Sequence, residues 1–178
     1  AEPENMYFSC LQIGFFLASW GMLRGSSFLL DKSIKHYEDL IHLISKSSGN
    51  PIWNIDVADY TEDNNLDILL DYGDEIANVL STGEDENVTD TLKTKIMLGI
   101  FGNVPALDTY NKKAYNISSF TKNNLKKIRD YYENNKEIIK SANIYTIDYY
   151  TRESTNRLYT EAKIIDMIGF IKGKNMSD

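Results

Sequence analysis

The stretch Leu11-Gln-Ile-Gly-Phe-Phe-Leu-Ala-Ser-Trp-Gly-Met-Leu-Arg-Gly25 is the most apolar run of the chain, and its reading decides the fold. A signal peptide would have basic residues ahead of it, whereas this flank carries Glu2 and Glu4. A membrane span needs roughly 18 apolar residues in a row, and Arg24 arrives too soon. Leu11, Phe15, Ala18 and Met22 recur at three and four, the period of a helix. The run is therefore predicted to be a buried helix with no membrane partner. The chain begins at Ala1 rather than methionine, which leaves open an upstream segment or a processed start. A lone cysteine, Cys10, and no export signal point to the cytoplasm.

The helical period continues outward from this run. Ile34, Tyr37, Leu40, Ile41 and Ile44 repeat it, and so do Leu66, Leu69, Ile76, Val79 and Leu80, with an interruption predicted near Gly73. Leu92, Ile96, Met97 and Ile100 form a short apolar helix. Leu125, Ile128 and Tyr132 begin another, which Thr121 would cap, and Leu158, Ala162, Ile165 and Ile168 close the chain behind a cap at Ser154. Breaks fall at Ser45–Pro51 and Ser81–Asn87. Tyr145-Thr-Ile-Asp-Tyr149 is the best strand-like run, with nothing obvious to pair with. The prediction is an all-α, single-domain bundle of about six or seven helices. Its core would form from the first helix and the two around the Gly99–Asp108 turn, with Trp20 at the centre. A length of 178 residues suits one domain with a sizeable core. One cysteine excludes an internal disulfide framework, and with two histidines it supplies too few ligands for a structural zinc site.

Charge divides the chain into three parts. The helical N-terminal part, 1–50, is nearly balanced. The segment 51–92 holds twelve acidic residues and no basic one, and 93–178 holds fifteen basic against nine acidic. The net charge of −7 argues against a general electrostatic binder of nucleic acid. The basic part still offers Lys122, Lys126 and Arg129 on one helical face, beside Tyr131, as a nucleic-acid contact or as a solvated face. The acidic segment would meet a protein partner, by mimicking nucleic acid, or be a solvated helix–loop–helix. It does not fit an EF-hand, and no metal or cofactor is expected.

Three constellations offer sites. Trp20 and Arg24, four apart, could hold a planar or anionic ligand, or could stack on each other, with Gly21 and Gly25 allowing close helix contact. Tyr159, Lys163 and Asp166 share a face of the last helix and could reach a pocket under Asp108 or form a surface ion pair. The third is Lys93-Thr-Lys-Ile-Met-Leu-Gly-Ile-Phe-Gly-Asn-Val-Pro-Ala-Leu-Asp-Thr-Tyr110, a short helix, a Gly/Pro turn and a new helix that Asp108 could cap. No catalytic triad, P-loop or H-E-x-x-H sequence is present.

Residues 93–115 resemble the core of the helix-hairpin-helix DNA glycosylases, in which a lysine-bearing helix leads through a turn to a Pro-x-Asp-Thr-His-like sequence. The resemblance implies that Asp108 stands beside the sugar and that Lys93 or Lys95 is the nucleophile. Here Pro105 and Asp108 are separated by one extra residue, Tyr110 stands in place of histidine, and no Leu-Pro-Gly-Val-Gly hairpin precedes them. Tyr110 joins the candidate ligand-binding residues. The whole pattern also looks like uncharacterised all-helical proteins of bacteria and phages. Three functions follow as expectations. The first is a non-catalytic interaction or binding module, favoured because no complete catalytic constellation appears. The second is a nucleic-acid binder or base-excision protein, and the third a small-ligand binder using Trp20 and Arg24.

Overall fold

In the computed structural model, which describes residues 3–83 and 86–176 (side chains from residue 5), the first helix, α1, is Pro3–Ser19. Glu2, Glu84 and Asp85, and the Glu4 side chain, lie outside what is described. Six more α-helices follow among the described residues: α2 (Glu38–Lys46), α3 (Asp63–Leu80), α4 (Asp90–Ile100), α5 (Thr109–Tyr115), α6 (Lys122–Ser141) and α7 (Glu161–Asn175). Short 3-10 turns connect the first of them, and one antiparallel hairpin, β1 (Tyr145–Ile147) and β2 (Ser154–Leu158), stands between α6 and α7. The fold is all-α, a single domain of seven helices with one small two-stranded sheet. No described helix is long and apolar enough to cross a membrane.

Helix α1 departs from the prediction at both ends of the argument. It stops at Ser19, so Trp20 and Arg24 stand in the turn that follows rather than on a helical face. Met22 N–H donates to Leu17 O, and Gly21 N–H donates to Ala18 O. Those two bonds form a Schellman stop, and Gly21, at φ 70°, takes its left-handed position. Gly25, at φ 61°, turns the chain again and makes no helix contact. The helix is also buried on one side only. Cys10, Ile13 and Leu17 face the core, while Tyr7, Phe8, Leu11 and Phe15 are exposed, Phe15 at 76%.

The predicted interruption of α3 does not occur. Gly73 lies inside an unbroken 18-residue helix, and a Cβ there would approach the Phe120 ring to 2.8 Å, so the glycine serves packing rather than a break. Ser154 opens β2 instead of capping a helix; Thr160 caps α7, its hydroxyl accepting from Lys163 N–H at 3.2 Å. The strand-like run finds its partner in β2, with Tyr145 opposite Leu158 and Ile147 opposite Ser154 across an irregular step.

Apolar side chains of every helix meet in one core that includes Leu17, Leu40, Leu66, Ile76, Ile96, Ile128 and Ile165. The turn between α4 and α5 lies inside it, with Val104, Ala106 and Leu107 buried, whereas Trp20 is only half-buried at its edge. Helix α7 packs most closely on α5. A Cβ at Gly169 would collide with Asn111 and Tyr115, and one at Gly173 with the backbone of Tyr110. The two helices therefore meet at near-backbone distance. Asp56 ties the far end of α7 to the chain before α3, its carboxylate accepting from Glu161 N–H at 2.8 Å and Ala162 N–H at 2.9 Å.

Candidate functional site

Four segments of the chain line a pocket of about 670 Å³. The turn after α1 contributes Trp20 and Arg24, α4 contributes Lys95, the start of α5 contributes Asp108, Tyr110 and Asn111, and α7 contributes Lys163, Asp166 and Phe170. Local causes place each one. The Schellman stop throws Trp20 and Arg24 clear of α1, and the Arg24 guanidinium lies over Gly21, 3.3 Å from where a Cβ would stand. Asp108 is the N-cap of α5, accepting from Asn111 N–H at 2.9 Å. Lys163 and Asp166 stand three apart on α7 and pair at 3.1 Å.

Asp166 organises the floor. Only 5% exposed, it accepts from Ala106 N–H at 3.0 Å, from the Asn111 side-chain amide at 3.0 Å and from Lys163. Burial pushes its carboxyl above the usual range, while Lys163 and the Ala106 N–H pull it back. Among the described residues no other carboxylate is buried so deeply in the pocket.

Trp20 is the plate of the site. The Lys163 amine lies 4.4 Å from its ring centroid and the Lys95 amine 5.7 Å, so two ammonium groups share one indole. Lys95 also donates to the Trp20 carbonyl at 2.7 Å. It is 8% exposed, and burial holds its ammonium below the usual lysine range; Arg24 pushes the same way, while Asp108 and Asp166 oppose. Lys95 and Arg24 make no ion pair with a carboxylate among the described residues. On the α5–α7 side, Tyr110 and Phe170 pack edge to face at 5.1 Å, and Ile171 extends that apolar wall.

Of the residues singled out from sequence, Trp20, Arg24, Lys95, Asp108, Tyr110, Lys163 and Asp166 converge here. Lys93 does not. It pairs with Asp90 at 3.1 Å and Asp74 at 3.4 Å and lies near the Phe120 ring, away from the pocket. Tyr159 lines a neighbouring cavity that shares Trp20 and Lys163 with this one. Lys122, Lys126 and Arg129 are engaged by Asp67, Asp63 and Glu133. The acidic segment thus meets the chain's own basic helix, with further pairs from Asp74 and Asp90 to Lys93 and from Glu86 to Lys32. Sequence reading missed Asn111, Met167 and Phe170. Met167 falls four residues after Lys163 and Phe170 four after Asp166, a spacing that would have placed them on the same face. No group of three or more metal-ligating side chains is found among the described residues.

Comparison with known families, with curated proteins and with solved structures finds no match to this chain.

Proposed function

We propose that the chain is a non-catalytic binding protein whose pocket holds a small organic anion with a flat or apolar body. One observation carries the reading: Arg24 and Lys95 enter one cavity beside an indole, with no carboxylate partner of their own. Lys95 is buried with Asp108 and Asp166 near it but with no carboxylate in contact, and an anion supplied from outside would add the missing ion pair. The volume falls within the usual range for small-molecule sites. The Tyr110–Phe170 pair and Ile171 suit the apolar body, while Arg24, Lys95 and Lys163 suit the charge. The lone Cys10 supports a cytoplasmic setting for this role.

The test is a fluorescence titration with anilinonaphthalene sulfonate, a flat monoanion. Arg24→Ala is expected to weaken binding about tenfold, the loss of one charge-assisted contact. Lys140→Ala, on the exposed end of α6, is expected to leave it unchanged. Equal affinities for wild type and Arg24→Ala would overturn the reading.

A second reading takes Lys95 and Asp108 as reacting groups of a base-excision enzyme. It is favoured by their presence in one pocket, an amine and a carboxylate beside an aromatic plate. Strand cleavage of duplexes carrying damaged bases, abolished by Lys95→Ala and by Asp108→Asn, would establish it. No cleavage by the wild-type protein would eliminate it.

A further inference from the structure

Behind Trp20 lies a second, smaller cavity of about 280 Å³, bordered by Phe16, Gly99, Arg157 and Tyr159. Trp20 and Lys163 line both cavities, so the indole and the ammonium beside it form a shared wall. The smaller space lies below the usual range for a whole small-molecule site. It carries its own unpaired cation. Arg157 stands on the exposed side of β2, and its guanidinium makes no ion pair among the described residues. Thr146 of β1 and Thr160 ahead of α7 line the same space, their hydroxyls already bonded to Thr155 and to Gly102 O, so the charge there comes from Arg157 and Lys163.

We infer that this cavity is a second anion subsite of the same binding site, so that the natural ligand is an elongated organic dianion. One phosphate or carboxylate would lie with Arg24 and Lys95. The body would pass along the Trp20 indole, and the second anionic group would meet Arg157. Lys163, which lines both cavities while paired with Asp166, stands between the two ends. The inference rests on the larger pocket being an anion site, as proposed above.

The experiment compares two probes on the intact protein: anilinonaphthalene sulfonate, with one sulfonate, and its bis form, with two. Arg157→Ala is expected to weaken the bis form about tenfold and leave the single form unchanged. Arg24→Ala is expected to weaken both. Arg157→Lys, which keeps the charge, is expected to recover part of the loss for the bis form. Arg157 is exposed, so thermal melting of the variants should match wild type and separate lost binding from lost folding. If Arg157→Ala leaves the bis form unchanged while Arg24→Ala weakens both probes, the second subsite is overturned and the first reading stands. If Arg24→Ala affects neither probe, both readings fail.

Discussion

Asp166 is the residue on which the pocket most depends. It satisfies a backbone N–H, an amide and an ammonium from three different segments, and it is buried. Asp166→Ala leaves all three donors without an acceptor. The expected loss is about 3 kcal/mol in urea unfolding, in line with breaking a buried hydrogen-bonded pair from one side. A loss below about 1 kcal/mol would mean that water replaces the carboxylate. The sequence left Asp166 open between a pocket under Asp108 and a surface ion pair with Lys163, because nothing local announces that Ala106 and Asn111 will lie beneath it. It did separate the lysines in principle. Lys93 and Lys95 are two residues apart on a helix of 3.6 residues per turn, so they must face opposite ways. Which of them faces inward was settled by the packing of α4 against the turn after α1.

At the level of elements, glycines set how closely the helices approach. Gly173→Ala would place a methyl group on the Tyr110 backbone, which has no rotamer through which to yield. The expected cost is about 2 kcal/mol or more. Gly25→Ala meets open space and carries only the left-handed backbone penalty, about 1 kcal/mol. Thermal unfolding of the two variants side by side checks the order, and the reverse order would discount the close α5–α7 crossing. These elements were legible to different degrees. Apolar periodicity located α2, α3, α4, α6 and α7 because each buries one stripe in a common core. β2 was not legible: its residues Ser154-Thr-Asn-Arg-Leu158 lie at the surface, and a strand with no buried face has no alternation to display. Gly73 was misread as a break because the reason for it, the Phe120 ring, lies 47 positions further along the chain.

For the whole molecule, Asp56 couples acidity to stability. Its carboxyl joins the start of α7 to the turn before α3, and burial pushes it from the ordinary 3.8 up to about 6, against the backbone N–H groups that hold it. Between those two values the folded chain keeps a proton that the unfolded chain releases. Stability is therefore expected to fall as pH rises from about 4 to about 6, and Asp166, raised by burial, acts in the same direction. Asp56→Asn removes the titration and should flatten that part of the profile in denaturant midpoints taken across the range. An unchanged slope would assign the dependence to other groups. The four-segment construction of the pocket was the part of the site hardest to read, since residues near 20, 95, 108 and 166 meet only through the tertiary fold. That construction also has a consequence in time. On a ribosome that has just passed Thr160, the chain holds Trp20, Arg24, Lys95 and Asp108 but neither Lys163 nor Asp166. For a ligand held as proposed, capture must wait until α7, the fifteen-residue helix that carries both side chains, has cleared the exit tunnel and docked.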